Sequence, residues 1–398
     1  IENQIREREG SIVKDFLSLI WFAILILCAV YVRQILIFIR GLSHLRRGTG
    51  DHFYTVAVIV AARNEELHIE KCLRSLLEQD YAHDKYTITV VDDQSTDRTA
   101  DIVKQLALEN PRISLLRLHG HPSGISPIIN AMNEAIKNTS SEIILRTDAD
   151  CVVGPNWISS MVRYFDETVG VISGLTLFEN GQNIPFLLFG FQCIDLFSQT
   201  ACGAGAIGMK APINCNGSNM GFRRSAFNDV GGFASMTKIN SGSDSLLAQR
   251  IAATPLWKMR FAYEPATHVT TLPVTSWRQL LQQRMRWAGH TPHYRASTLF
   301  FLVASFFLYL LIFLFAPVSV FYFSIMSVPF AVLLIKFIVD YWIILKFSKL
   351  TKVVGMMKYF FVSELIHFPV ILAAVFGSFF GSFEWKGRLM KREISQHA

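Results

Sequence analysis

Polar residues of three kinds lie where they could bind a cation, a phosphate or a proton. Asp148 and Asp150 are separated by one residue and follow the apolar segment 143–145. In an extended segment alternate side chains point the same way, so both carboxylates could reach one cation or one cation–diphosphate unit. Mg²⁺ and Mn²⁺ prefer oxygen ligands, and Mg²⁺ is often held by one or two carboxylates plus substrate phosphates. A polar loop with capping aspartates is the alternative, and the position after an apolar run favours the cation site.

Two further acidic features could take part in the same chemistry. Asp92 and Asp93 are adjacent at the end of another apolar run, where a carboxylate could contact the base or ribose of a nucleotide. Turn and capping chemistry explains Asp97 well, but it explains two adjacent, mutually repelling carboxylates less well. Asp244 stands just before a helical pattern. It is therefore either the N-cap of that helix or a general base that takes a hydroxyl proton.

The third group is Gln283, Arg286 and Trp287, which lies on a predicted helix over residues 275–289. A spacing of three to four residues places these side chains on one helix face. Arg286 can neutralise a diphosphate with its planar donors, and Trp287 can stack on a sugar or lie at a membrane interface. An interfacial helix with its usual Trp and Arg residues is the alternative.

The elements that must position these residues alternate between strand and helix patterns. Continuous apolar, β-branched runs predict strands that are buried on both faces of a parallel sheet. The predicted strands cover residues 55–61, 87–91, 113–118 and 142–146, and the predicted helices cover residues 66–79, 99–109 and 127–137. This alternation predicts an α/β domain with a mostly parallel sheet. In such sheets ligands bind beyond the carboxyl ends of the strands, where both acidic pairs lie.

Apolar residues are unevenly distributed along the chain, whose mean hydropathy is +0.33. Runs long enough to be membrane-span candidates cover residues 12–32, 299–323, 328–345 and 359–383. The region between the first and second runs has ordinary polarity. The sequence therefore predicts an N-terminal anchor (1–50), a polar domain (51–296) and a C-terminal membrane block with a basic tail (297–398).

The first apolar run predicts a retained helix rather than a cleaved signal peptide, because it is long and no small-x-small site follows it. Arg33, Arg40, Arg46 and Arg47 follow this run. The positive-inside rule then places the central domain in the cytoplasm. Four crossings would place the basic tail outside, against the same rule. One C-terminal segment is therefore expected to be interfacial or re-entrant, or one run splits in two.

Several other functions are disfavoured by the sequence. The net charge of +7 could suggest nucleic acid, but Lys and Arg cluster near the membrane runs and no nucleic-acid-binding fold signature is present. The six cysteines show no CxxC spacing and are expected to be reduced thiols. Gly203, Gly205 and Gly208 match GxGxxG spacing but do not follow a strand, so we predict a flexible loop there rather than a dinucleotide site.

Five motifs in chain order resemble the family 2 glycosyltransferases with a GT-A fold. They are VAVIVAARNEE at 56–66, VDDQSTD at 91–97, RTDAD at 146–150, GSD at 242–244 and QRMRW at 283–287. The resemblance covers residues 52–296 and is to the D,D,D,QxxRW group, which includes cellulose, chitin and hyaluronan synthases and ceramide glucosyltransferase. It implies a Rossmann-like, mostly parallel GT-A domain flanked by transmembrane helices.

The resemblance also implies roles for individual residues. Those expected to contact a nucleotide-sugar donor are Ala61, Arg63, Glu65, Asp92, Asp93, Asp148, Gln283, Arg286 and Trp287. Asp148 and Asp150 would hold Mg²⁺ or Mn²⁺, and Asp244 would be the catalytic base. The residues on the acceptor side would be Asn216, Gly217, Ser218 and Trp287.

The sequence departs from the family pattern at two places. Ser243 precedes Asp244 where relatives often have an acidic residue. Pro127 and Ile128 stand where relatives usually carry a Gly-Lys pair that contacts the donor. Either another base, such as His119 or His121, replaces that lysine, or donor affinity is low.

The implied activity is inverting, metal-dependent transfer of a sugar, expected to come from a UDP-sugar, to a hydroxyl acceptor in the membrane. A lipid or lipid-linked acceptor is expected, because the C-terminal runs are few for a polysaccharide channel. A processive polysaccharide synthase is the alternative, and an inactive membrane-anchored nucleotide-sugar-binding protein is an alternative of another class. The expected location is a multi-pass position in a bacterial inner membrane. Glu364 and His367 would either contact the acceptor headgroup or lie at the interface, in a final run expected to be irregular.

Overall fold

The protein is described by a computed structural model that covers residues 2–120, 122, 124–179, 184–234, 236, 242–288, 294–319, 327–380, 383–385 and 388–390. The strands of the main sheet are β1 (Val56–Ala62), β2 (Tyr86–Asp92), β3 (Ile113–Arg117), β4 (Ile143–Asp148), β6 (Val169–Gly174), β8 (Met220–Arg223) and β9 (Lys258–Ala262). The shorter strands are β5 (Val152–Val153), β7 (Thr176–Phe178), β10 (Val269–Thr271), β11 (Phe383–Trp385) and β12 (Arg388–Met390).

The main sheet has the order β3-β2-β1-β4-β8-β6-β9 among the described residues. All its neighbours pair in parallel except β8, which runs antiparallel to both β4 and β6. Ala61 pairs with Asp148 and Ala62 pairs with Asp92, so the carboxyl ends of three strands meet at one edge. The predicted mostly parallel α/β sheet is confirmed, and so is the placement of the acidic pairs at the carboxyl ends of strands.

Eight described α-helices lie in the chain between the first and second membrane-span candidates. They are α2 (Ile69–Leu77), α3 (Thr99–Glu109), α4 (Pro127–Lys137), α5 (Trp157–Val162), α6 (Phe186–Gly208), α7 (Arg224–Asp229), α8 (Ser243–Ala253) and α9 (Trp277–Ala288). The bounds of α3 and α4 are those that the sequence predicts. Helix α2 is shorter than predicted, because residues 66–68 form a turn in which the Glu65 carbonyl accepts from the His68 amide at 2.9 Å.

Four described helices are long and apolar enough to cross a membrane. They belong to α1 (Glu2–Leu42), α10 (Ala296–Ser319), α11 (Ser327–Thr351) and α12 (Phe360–Phe380). The last run was predicted to be irregular, and this prediction is wrong. Pro369 lies inside α12 without ending it, and the run begins with a single 3-10 turn at Met356–Tyr359.

The segment predicted to be a flexible loop around Gly203 is instead the end of helix α6. Its glycines allow α1 and α6 to approach backbone to backbone, as small residues do where helices pack closely in membranes. A Cβ atom on Gly205 would lie 2.8 Å from the Phe38 carbonyl carbon, and one on Gly208 would lie 2.6 Å from the Gly41 carbonyl carbon. Two of the three glycines, Gly205 and Gly208, therefore serve helix packing in this chain, whereas Gly203 lies against the Asn214 side chain.

Helix α6 connects the α/β domain to the membrane helices. Its apolar face shares one buried cluster with α1, α10, α11 and α12, in which Phe197, Leu308 and Phe347 are fully enclosed. Residues 186–208 lie within the segment predicted as the polar domain, although they pack among the membrane helices. The boundaries at residues 50 and 296 stay a prediction.

Candidate active site

One cavity of about 1270 Å³ extends from the carboxyl ends of β1 and β4 into the space between the membrane helices. The predicted site residues that line it are Ala61, Arg63, Glu65, Asp93, Asp148, Asp150, Asn216, Gly217, Ser218, Asp244, Gln283, Arg286 and Trp287. Asp92 is not among the lining residues. The structure therefore brings the predicted donor, metal, base and acceptor residues to one space, with that one exception.

Arg146 bridges the two acidic groups at the centre of the cavity. It lies on β4 two residues before Asp148, so both side chains leave the same face of the strand. Its Nη2 donates to Asp148 Oδ1 at 3.3 Å, and its Nη1 donates to Asp244 Oδ1. Burial lowers the pKa of Arg146, but the carboxylates of Asp244 and Asp148 outweigh this effect and raise it overall. Arg146 thus fixes the positions of two carboxylates that are distant in sequence.

The residues that could hold a metal ion are Asp148 and Asp150. Their carboxylate oxygens and the Cys151 sulfur lie within 4.8 Å of one another. The Cys151 thiol donates to Asp150 Oδ1 at 3.7 Å, and burial together with the nearby carboxylates raises its pKa well above the usual value. Two of the three groups are carboxylates, whose oxygens are hard donors. This set fits Mg²⁺ or Mn²⁺, which prefer oxygen ligands.

The loops after β1 and β2 are tied to each other. Arg63 Nη1 donates to the backbone carbonyls of Asp93 at 2.7 Å and Gln94 at 3.0 Å. The Glu65 amide donates to Thr99 Oγ1 at 2.7 Å. Asp92 is buried and accepts from the Ser95 amide at 3.2 Å. Asp92 therefore stabilises the loop that presents Asp93 to the cavity.

Asp244 lies in the first turn of α8, and the N-cap of that helix is Gly242 at φ 78°. The structure therefore contradicts the alternative in which Asp244 is the N-cap. Gly217 lies directly against its carboxylate: a Cβ on Gly217 would be 2.8 Å from Asp244 Cγ and 2.8 Å from Arg146 Nη1. Asn216 Oδ1 accepts from Ser218 Oγ at 2.9 Å, while Asn216 Nδ2 is buried with no hydrogen-bond partner in the described part of the chain.

Helix α9 presents Gln283, Arg286 and Trp287 to the cavity, and Arg284 holds this face in position. The Arg284 side chain is 3% exposed, and its Nε donates to Asp195 Oδ2 of α6 at 2.5 Å. Its Nη1 donates to Gln283 Oε1 at 2.6 Å, and its guanidinium lies 4.1 Å from the centre of the Trp287 ring. Burial lowers the pKa of Arg286, yet an arginine remains charged at neutral pH.

The two residues at the position of the family's Gly-Lys pair also line the cavity. Pro127 and Ile128 line the cavity, and no lysine does so among the described residues. His119 is exposed and is not a lining residue. His121 lies outside the described residues.

The arrangement of strands and helices is that of the GT-A glycosyltransferase fold. The structure superposes on a mannosyltransferase from Pyrobaculum calidifontis in complex with GDP-Man and Mn²⁺, with a TM-score of 0.57. The match covers 90% of this chain and 99% of that one at 19% sequence identity, so it bears on the fold alone.

Residues 57–231 match the family model described as Glycosyl transferase family 2. A β-monoglucosyldiacylglycerol synthase of Synechocystis sp. is 29% identical over 242 residues, which are 58% of this chain and 47% of that protein. A poly-β-1,6-N-acetyl-D-glucosamine synthase of Staphylococcus aureus is 26% identical over 250 residues, which are 60% of this chain and 56% of that protein. The chain thus spans about half the length of these curated relatives.

Proposed function

We propose that the chain transfers a sugar from a nucleotide-sugar, such as a UDP-sugar, to the hydroxyl group of a membrane lipid, with inversion at the anomeric carbon. The observation that most strongly supports this proposal is that one cavity reaches both the acidic residues and the membrane helices. This cavity joins Asp148, Asp244 and Arg286 to an apolar space lined by Phe306 of α10 and Ile371 of α12. A polar donor and an apolar acceptor can therefore reach the same carboxylate from opposite ends.

On the donor side, Glu65 and Asp93 would contact the nucleoside, and Asp148 and Arg286 would lie near its diphosphate; all four residues line the cavity. A divalent cation, Mg²⁺ or Mn²⁺, held by Asp148 and Asp150 would neutralise charge on the departing diphosphate. Arg286 adds a fixed cation whose interaction with that charge is strengthened by burial. Trp287 would stack on the sugar or close the acceptor side.

On the acceptor side, Asp244 takes the proton from the attacking hydroxyl. The oxygen then forms a bond to the anomeric carbon, on the face opposite the nucleotide, while the carbon–oxygen bond to the diphosphate breaks. Arg146 orients the Asp244 carboxylate, and Gly217 leaves room beside it. Asn216 and Ser218 complete the wall where the acceptor would lie.

We further propose that the chain is a multi-pass protein of a bacterial inner membrane, with its α/β domain in the cytoplasm. Support comes from the membrane-span candidates and from Arg40, Arg46 and Arg47, which lie in or after the last turn of α1. The name of the Synechocystis relative, which specifies diacylglycerol, agrees with a lipid acceptor.

A panel assay tests the activity. Purified protein in lipid nanodiscs is incubated with Mn²⁺ and individual UDP-sugars or GDP-mannose, and the released nucleotide and the lipid products are measured by mass spectrometry. The proposal predicts one or more lipid–hexose products together with nucleotide release. Nucleotide binding without release, across the whole panel and with native lipid extract, would favour the inactive binding protein.

A polysaccharide synthase is the second candidate, because the Staphylococcus aureus relative is named for a polymeric product. The same assay separates the two functions. A lipid acceptor yields product whose mass rises by one or a few sugar units, whereas a processive synthase yields long sugar chains that are not attached to lipid.

A further inference from the structure

A cluster of charged residues is buried between the membrane helices. Lys336 of α11 is 1% exposed, and its ammonium donates to Asp340 Oδ2 and to Glu364 Oε2 of α12, both at 2.6 Å. The Tyr31 hydroxyl of α1 donates to Asp340 Oδ1 at 2.8 Å. Ionisable residues within membrane segments are costly, and they commonly mark a functional site.

This cluster forms the deep end of the same cavity that contains Asp244. Tyr31, Asp340 and Glu364 line the cavity, whereas Lys336 does not. The carboxylates and the phenol therefore face the space, and the ammonium lies behind them. A molecule that enters from the membrane meets hydrogen-bond acceptors and a hydroxyl here, and no exposed ammonium.

Asp195 and His367 also line this end of the cavity, and they connect it to helix α9. Asp195 is paired with Arg284, and His367 Nε2 lies 3.9 Å from Asp195 Oδ1. Arg284 Nη2 and His367 Nδ1 are both buried without a hydrogen-bond partner among the described residues. The Arg284 side chain is 3% exposed and lines the cavity, as His367 does. Arg284 Nη2 and His367 Nδ1 are therefore available for hydrogen bonds with a ligand.

The charges of this end do not balance. Three carboxylates, on Asp195, Asp340 and Glu364, face two cations, on Arg284 and Lys336, and each cation is already engaged by a carboxylate. With all three carboxylates ionised and His367 neutral, the region carries one excess negative charge. A lipid phosphate would add further negative charge in a space of low dielectric, whereas a neutral lipid headgroup would not.

We propose that this deep end is a headgroup subsite that takes an uncharged, hydroxyl-bearing lipid and excludes lipid phosphates. Ester carbonyls of the lipid accept from Arg284 and His367, which leaves its hydroxyl for Asp244, while Asp340 and Glu364 provide the negative charge that repels a phosphate. This inference rests on the proposed function, because it names the chemical class of the acceptor. It adds that the membrane helices select the acceptor by charge.

The test measures binding without any nucleotide-sugar. Full-length protein in nanodiscs is illuminated with photoreactive dioleoylglycerol or with photoreactive polyprenyl phosphate, each with and without the unlabelled lipid as competitor. Labelled peptides are then identified by mass spectrometry. Competable labelling of α10 and α12 is expected to be at least about tenfold greater for dioleoylglycerol, a preference of about 1.4 kcal/mol. Equal labelling, or stronger labelling by the phosphate, would overturn the inference.

The variant Glu364→Gln removes one negative charge and keeps the Lys336–Asp340 pair. It should raise competable labelling by polyprenyl phosphate several-fold, whereas Glu109→Gln, the same change at an exposed position of α3, should leave labelling unchanged. If Glu364→Gln does not fold, His367→Phe removes hydrogen-bonding capacity without a change in carboxylate charge. It should weaken dioleoylglycerol labelling and leave phosphate excluded. Unaltered labelling in the variant that folds would contradict the subsite.

A negative result in the labelling test and a negative result in the sugar-transfer assay contradict different claims. Selective labelling by dioleoylglycerol with no lipid product in the transfer assay would contradict the proposed function and leave the subsite in place. Transfer of sugar to polyprenyl phosphate would overturn the subsite while glycosyltransferase activity stands.

Discussion

The variant Gly217→Ala tests the geometry around Asp244 with a single added methyl group. The Gly217 backbone is not in the left-handed region, so alanine is compatible with its backbone conformation. The new Cβ would lie 2.8 Å from Asp244 Cγ and from Arg146 Nη1, and an ordinary contact begins at 3.4 Å. Asp244 Oδ2 would lie closer still, so the carboxylate must move by more than about 0.6 Å, the difference between 3.4 Å and 2.8 Å.

The expected cost follows from how steeply catalysis depends on position. A misplacement of about 1 Å can reduce a rate by about a hundredfold. We therefore expect kcat for sugar transfer to fall about tenfold to hundredfold in Gly217→Ala. The dissociation constant for the nucleotide-sugar should remain nearly unchanged, because Glu65 and Asp93 are on other loops.

The assay measures kcat from nucleotide release, and donor affinity by isothermal titration calorimetry. Gly154→Ala is the matched control, because a Cβ at Gly154 would meet no atom within 4 Å. The control should retain wild-type kcat. A Gly217→Ala enzyme with wild-type kcat would refute the claim that Gly217 keeps the catalytic carboxylate in place, and equal losses in both variants would point to a general effect on folding.

Four further predictions concern the Asp150 metal ligand, the ion pair of Asp195 with Arg284, the packing of α1 against α6, and the Cys215 thiol. Asp150→Asn should abolish the Mn²⁺ dependence of donor affinity measured by calorimetry, and an unchanged dependence would remove Asp150 from the metal site. Arg284→Ala should lower the free energy of unfolding by about 3–5 kcal/mol, because it leaves the buried Asp195 carboxylate unpaired; a loss below about 1 kcal/mol in denaturant titration would contradict this. Gly205→Leu should separate α1 from α6 and lower the thermal midpoint, and a wild-type midpoint would argue against backbone contact there. Cys215 is half-buried, and desolvation raises the pKa of its thiol to about 12, so at pH 8 this thiol should stay protonated in the folded protein and react with iodoacetamide far more slowly than in the denatured protein; similar rates would contradict the raised pKa.

The α/β sheet could be predicted from the sequence because local patterns are enough to specify it. Continuous β-branched runs are typical of buried parallel strands, and helices α3 and α4 begin and end where their patterns do. The meeting of Asp92 and Asp148 at one edge then follows from strand order, since β1 lies between β2 and β4.

The contacts that complete the site were not predictable, because they join residues that are distant in sequence. Arg146 is two residues from Asp148, but its pairing with Asp244 spans 98 positions and depends on where α8 packs. An arginine within an otherwise apolar strand was the signal that could have identified it. The pairing of Asp195 with Arg284 likewise depends on the packing of α6 against α9.

The glycines of α6 show why a local motif can mislead. The spacing of Gly203, Gly205 and Gly208 is compatible with a loop, and glycine lowers helix propensity by about 1 kcal/mol per residue. Close packing against Phe38 and Gly41 of α1 outweighs that preference. Such tertiary effects cannot be read from the local sequence.

The most direct test of the central claim compares the wild type with Asp244→Asn in the transfer assay. Asparagine keeps the size of the side chain but cannot take the acceptor proton. The account predicts that the wild type forms a lipid–hexose product of inverted configuration, and that Asp244→Asn binds the nucleotide-sugar with similar affinity but loses about a hundredfold or more in kcat. A variant that forms product at the wild-type rate would contradict the account.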